Sequence, residues 1–352
     1  MSMSVPKTLP NYEVVPLRSE SITVGIVQSK IKAIDPGNKQ HIKDNLNHML
    51  KLIDRAQIGA GGPKKDLLVF HEYPLQGFSF EWTREQALKM AIDIPGEETA
   101  AIGEKARQYN CYIHTGCYGK LKEWPGHFTN MGIIIGPTGE VIYKRWKLRN
   151  LSGMGFSTTV HDVLDEYVAK YGWDAIFPIA MTDIGNFGII PEIYEPEVGR
   201  AFAMRGTEIM IRYMTAGAGY WSNEPMAARG GGINSFLIDF QAVCMTNSMY
   251  GIFVNNSLSP EDPFDIGAGH STIFDNDGRV LGEAISPNET VVEAVIPIAA
   301  YRKKHSIPKV PKELYMHLWE EYPAKFPPNA FTKYLPNSIG DAVKHYRTLM
   351  RW

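Results

Sequence analysis

The chain has 352 residues, 44% of them hydrophobic and 21% charged, with 36 basic and 38 acidic side chains and a formal net charge of −2. That apolar content can fill a large core and excludes a disordered chain, while the near-neutral balance leaves no electrostatic footprint for nucleic acid or an anionic membrane. No apolar run approaches the roughly 20 residues that a membrane-spanning helix needs, and three cysteines (Cys111, Cys117 and Cys244) build neither a disulfide framework nor a C-x-x-C zinc site.

The first 20 residues form a polar arm without the apolar segment of a secretory signal, so a reduced, cytoplasmic compartment is expected. Residues 22–28 are a β-branched run and read as a buried strand. Ile42, Leu46, Met49, Leu50 and Ile53 fall on one face of a helix. Residues 66–70 read as a second strand, which runs directly into His71-Glu72-Tyr73-Pro74. A helix over 95–109 opens with acidic residues that suit its dipole. Strands follow near 111–118, 131–135 and 141–144, then a short helix over 161–170 and a strand over 187–190. A helix begins near Pro196. Residues 207–212 read as a strand, 234–247 as a helix and 251–254 as a strand. Residues 271–274 and 280–283 form a hairpin around Asn276-Asp-Gly278, and 291–296 is the last strand. Interleaved strands and helices argue for an α/β layered domain. No internal repeat is visible. Residues 301–352 are rich in proline and aromatics, too apolar for a free linker, and are expected to cover a neighbouring surface.

Three positions could carry chemistry. Glu72 lies just past a strand end, where α/β sheets place ligands, and burial there would suit it to general-base work; a turn-capping surface carboxylate is the alternative. Lys147 closes the basic cluster Tyr143-Lys-Arg-Trp-Lys-Leu-Arg149, whose plainer reading is a solvated charged face. Glu192, Glu195 and Glu197 crowd a strand–helix junction, where acidic groups are favourable in any event. His71-Glu72 and His161-Asp162 lack partners at ligand spacing, so no metal is expected.

The order of the motifs is more specific than any one of them. Val69-Phe-His-Glu-Tyr-Pro74 is followed by Gly139-Glu-Val-Ile-Tyr-Lys-Arg-Trp-Lys147. Next come Gly185-Asn-Phe-Gly188, the run from Pro196 to Gly206, and the run from Gly269 to Gly282. Over roughly residues 20–300 this resembles the nitrilase superfamily of carbon–nitrogen hydrolases, most closely its aliphatic-amidase and formamidase branch. The resemblance implies a four-layer α-β-β-α sandwich with mixed sheets. It would occupy residues 21–300, between an arm (1–20) and an extension (301–352) at an oligomer interface. It implies a homo-oligomer, dimer or higher, with no cofactor and a small-molecule substrate. In that family a Glu deprotonates a Cys that attacks the substrate carbon, and a Lys stabilises the anion.

Carried over, the Glu is Glu72 and the Lys is Lys147, with Lys144 as the alternative. The Cys is not carried over: its place falls on Glu192, or on Ile193 if the following Tyr-Glu is the anchor. With Glu192 there, two carboxylates and an ammonium would share a pocket, with one proton held between the acids. A carboxylate is a poor nucleophile toward an amide, so activation of water by one carboxylate, with Lys147 at the oxyanion, is the expected mechanism. Tyr73, Trp146, Tyr194, Tyr213 and Trp221 are the expected substrate contacts. The expected function is hydrolysis of a non-peptide C–N bond in a small amide or nitrile. The alternatives are an inactive member serving in binding or assembly, and different acid/base chemistry on a nitrogenous small molecule.

Overall fold

The computed structural model describes residues 11–31, 35–59, 62–151, 155–216, 233–258, 267–323 and 327–346. In chain order the first half gives β1 (Ile22–Gln28), α1 (Gln40–Ile58), β2 (Leu67–Phe70), α2 (Arg84–Met90), α3 (Glu97–Tyr109), β3 (Tyr112–Lys120), β4 (Phe128–Ile135) and β5 (Val141–Trp146). The second half gives α4 (Leu164–Tyr171), β6 (Ala180–Thr182), β7 (Gly185–Ile190), α5 (Pro196–Met204), β8 (Ile209–Tyr213), α6 (Ile233–Asn247), β9 (Tyr250–Val254), β10 (Thr272–Phe274), β11 (Val280–Glu283) and β12 (Thr290–Ile296). Helices α7 (Ile298–Arg302), α8 (Met316–Glu321) and α9 (Ile339–Tyr346) end the chain.

The strands form two mixed six-stranded sheets, ordered β12-β1-β2-β3-β4-β5 and β11-β10-β9-β8-β7-β6. This is the α-β-β-α sandwich. Alternation along the strands explains why four layers form. Leu67 and Val69 of β2 face the other sheet, in a core that also holds Ile189, Ile209, Ile211 and Ile252. Leu68 and Phe70 point the other way, into the helix-covered core with Ile42, Met49 and Ile53. A strand buried on both faces reads as a continuous apolar run, which is how β2 looks in the sequence.

The sheets also share a topology that the sequence hides. Strands β1, β2 and β3 run parallel, and β4 and β5 then turn back antiparallel. Strands β7, β8 and β9 run parallel, and β10 and β11 turn back the same way. β8 is therefore the topological counterpart of β2. The chain carries two copies of one arrangement without visible sequence repetition.

Two glycines seat one sheet on the other. Gly116 of β3 and Gly132 of β4 are directly paired across the ladder. A Cβ on Gly116 would lie 2.6 Å from the Tyr213 ring and 2.5 Å from the Glu72 carbonyl, and one on Gly132 would lie 2.8 Å from the same ring. Missing side chains on one sheet thus make the slot for a tyrosine from the other.

Some elements lay outside the sequence reading. α2 and β6 are too short for a periodic pattern to announce them, and α8 and α9 sit within the proline-rich extension. The segment read as one helix over 161–170 is a 3₁₀ turn, His161–Val163, leading into α4.

Candidate active site

The carboxyl ends of β2, β7 and β8, and the end of β5, converge. The residues just beyond them line a cavity of about 40 Å³ among Glu72, Tyr73, Phe78, Phe80, Lys147, Arg149, Leu151, Pro191, Glu192, Ile193, Glu195, Met214 and Thr215. One water needs roughly 10–15 Å³ of such space, so the cavity suits a molecule of a few heavy atoms. Parallel strands end with outward-pointing backbone groups, which is why loops at these ends gather ligands.

Glu72 is buried. Its carboxylate accepts a hydrogen bond from Asn130 Nδ2, and its backbone N–H donates to the carbonyl of Met214. Asn130 Nδ2 is also 2.9 Å from the Tyr73 hydroxyl, and Tyr213 OH donates to Asn130 Oδ1 at 3.3 Å. Burial pushes the Glu72 carboxyl above the ordinary carboxylate range. The Lys147 ammonium, Asn130, Tyr73 and the Thr215 backbone N–H pull it partly back. A carboxyl whose pKa is raised in this way is better suited to take and return a proton than an exposed one. The Lys147 side chain lines the same cavity and forms no hydrogen bond or ion pair with a described residue.

Glu192 also lines the cavity, but its charge is committed. One oxygen accepts from Arg145 Nη1 at 2.7 Å, the other accepts from the Leu148 backbone N–H at 2.6 Å, and both ionic side chains are only 1% exposed. Both Glu192 oxygens are thus engaged by Arg145 and the Leu148 N–H, which fixes the side chain in place. The paired Glu192 departs from the expected picture of two mutually repelling acids. The reason is Arg145, an inward-facing residue of β5 that the sequence presents as one more member of a basic run. Ile193, the other candidate for the Cys place, is buried and lines the cavity beside it.

The expected substrate contacts separate. Tyr73 lines the cavity. Tyr213 stands behind it and reaches Glu72 only through Asn130. Tyr194 does not line it. It adopts a left-handed backbone (φ 57°), its N–H donates to Asp239, and its hydroxyl lies 2.6 Å from Ser235 Oγ. Trp146 faces away. It packs against Trp124 and Tyr167 in an outer groove of about 580 Å³, because residues alternate along β5 and Trp146 and Lys147 fall on opposite sides. Lys144, the alternative to Lys147, lines that outer groove as well. Trp221 lies outside the described residues.

The three cysteines are buried and none lines the cavity. Burial pushes the Cys111 thiol up to about 11 and the Cys117 and Cys244 thiols higher still, the reverse of an activated nucleophile. Among the described residues no group of His, Cys, Asp and Glu is arranged to hold a metal, and no helix is long and apolar enough to cross a membrane.

Asn130, Arg145 and Thr215 were not singled out from the sequence. Asn130 had a usable signal, a lone amide within the apolar strand Phe-Thr-Asn-Met-Gly-Ile. A buried polar group in a sheet needs a partner, and here the partner is Glu72.

Residues 23–306 match the carbon-nitrogen hydrolase family, and the chain belongs to it. Among named relatives it is similar to a formamidase of Bacillus thuringiensis (strain Al Hakam), 25% identical over 284 residues that span 77% of this chain and 73% of the relative. A formamidase of Bacillus cereus (strain Q1) matches to the same extent. Among solved structures, a carbon-nitrogen hydrolase from Helicobacter pylori G27 superposes with a TM-score of 0.65 at 17% identity, covering 86% of this chain and 96% of that one. An amidase of the nitrilase superfamily from Nesterenkonia AN1 gives 0.57 at 15% identity, over 86% and 99%. At such identities the structural likeness speaks for the fold.

Proposed function

We propose that this chain hydrolyses the C–N bond of a small amide or nitrile, with Glu72 as general base and Lys147 as the group that stabilises the developing anion. The observation that carries this reading is a buried carboxylate and a cation with no other partner among the described residues, both lining one cavity sized for a few heavy atoms. Glu72 takes the proton from the attacking oxygen and returns it to the departing nitrogen, while Lys147 faces the oxyanion. Glu192 is the counter-ion of Arg145 and shapes the wall, so the reaction needs neither a sulfur nor a second carboxylate. The formamidase and amidase relatives support the same bond class.

The test is ammonia release from formamide, acetamide, propionamide and acetonitrile. The parent is expected to turn over at least one of them. Glu72→Gln should cost about 10²–10⁴ in kcat, and Lys147→Met about 10²–10³. Absence of ammonia from every compound overturns the reading. The absence of a thiol from the cavity favours a second reading, binding without turnover. Saturable amide binding by calorimetry with no ammonia released would select it.

A further inference from the structure

The proposed hydrolysis leaves one atom unassigned: the oxygen that attacks the substrate carbon. Thr215 lies two residues beyond the end of β8, just as Glu72 lies two residues beyond the end of β2, the topological counterpart. It lines the cavity and is 8% exposed. Its Oγ1 is closed off from solvent and has no hydrogen-bond partner among the described residues. A buried hydroxyl without a partner is costly, so a rotation that brings this one to a polar group in the cavity is favoured.

Thr215 is also tied to the base. The Glu72 backbone N–H donates at 3.3 Å to the carbonyl of Met214, the residue that immediately precedes Thr215. Both residues line the same cavity, and a χ1 rotation of Thr215 can turn its hydroxyl toward the Glu72 carboxylate.

We propose, on the basis of the hydrolytic reading above, that Thr215 Oγ1 is the nucleophile of this enzyme, acting in place of the sulfur its family uses. The hydroxyl proton passes to Glu72 as Oγ1 bonds to the amide carbon, and the carbonyl electron pair moves to the oxygen facing Lys147. The pair returns, the C–N bond breaks, and Glu72 gives the proton to nitrogen, so that ammonia leaves and a threonyl ester remains. Water then loses a proton to Glu72 and attacks the ester. The Thr215 oxygen departs, regains that proton and releases the carboxylic acid.

Thr215→Val is the informative variant. It removes a hydroxyl that has no partner and keeps the shape, so it should unfold at the parent's temperature or above. Its ammonia release should fall by about 100-fold or more, while Thr215→Ser stays within about 10-fold of the parent. A second measurement uses the parent itself, with hydroxylamine present and either acetamide or methyl acetate as substrate. A shared threonyl ester partitions between hydroxylamine and water in one ratio, so the yield of hydroxamate over acid should be the same from both. A Thr215→Val variant within about 3-fold of the parent, or a ratio that changes with the leaving group, overturns the nucleophile while leaving Glu72-dependent hydrolysis intact. A parent inactive on amides and esters alike overturns both.

Discussion

At the residue scale the site is defined by which charges are free. Arg145 and Glu192 neutralise each other in the protein interior, and Arg145 Nε and Nη2 find no further acceptor. Such a pair fixes geometry more than it adds stability. Glu192→Leu alone should destabilise by about 3–5 kcal/mol, because it strands a buried guanidinium. Arg145→Met with Glu192→Leu should recover most of that loss in urea unfolding. A double variant as unstable as the single one would show that the pair itself, and not the orphaned charge, matters.

Glu72 makes the opposite prediction. Its folded pKa is raised by burial, so its stabilising contribution is present below the unfolded carboxylate value of 4.5 and is lost as pH rises through the folded value. Glu72→Gln should therefore be more stable than the parent at neutral pH, and the difference should close on acidification. In the parent, activity should climb through an acid limb lying above pH 4.5, and the residual activity of the Gln variant should lack it.

At the element scale, sheet–sheet contact sets the position of the base. Gly116 and Gly132 admit the Tyr213 ring, Tyr213 holds Asn130, and Asn130 holds Glu72. Gly116→Ala should cost about 1–3 kcal/mol by overpacking, and activity should fall with it, since the displaced groups include the Glu72 carbonyl. Thermal unfolding and ammonia release measure the two effects; full activity in the Ala variant would break this chain of supports. Arg84 of α2 plays a comparable part for the extension. Its guanidinium donates to the carbonyls of Pro336 at 2.6 Å and Phe156 at 2.8 Å and lies over the Phe128, Phe156 and Phe331 rings. Arg84→Ala should lose about 3 kcal/mol and expose the extension to limited proteolysis.

At the scale of the whole molecule, the extension is anchored at both ends and bare between them. Ile307 N–H donates to Asn11 Oδ1, and Asn329 N–H donates to the His161 carbonyl. Between those anchors Leu314, Tyr315, Met316, Leu318, Trp319 and Tyr322 are each 47–72% exposed. A patch of six large apolar side chains exceeds what a monomer ordinarily shows water. We propose that a second copy of this chain covers it. Leu318→Glu with Trp319→Glu should then lower the mass in sedimentation without moving the unfolding midpoint of the released subunit, whereas a monomeric parent would refute the interface.

The sequence by itself determined the layers. Runs such as Leu67–Phe70, buried on both faces, require cover on both sides, and the ordered motifs located Glu72, Lys147 and the strand ends that carry them. Composition and periodicity are local properties, and these features are local. Only the tertiary structure decided that Glu192 is spent on Arg145, that Trp146 faces outward, that Tyr213 acts through Asn130, and that Thr215 shares a cavity with Glu72. Each of these depends on contacts between residues at least 21 positions apart, in different elements or different sheets. No periodicity records which side chain meets another across the 10 Å or so between two packed sheets.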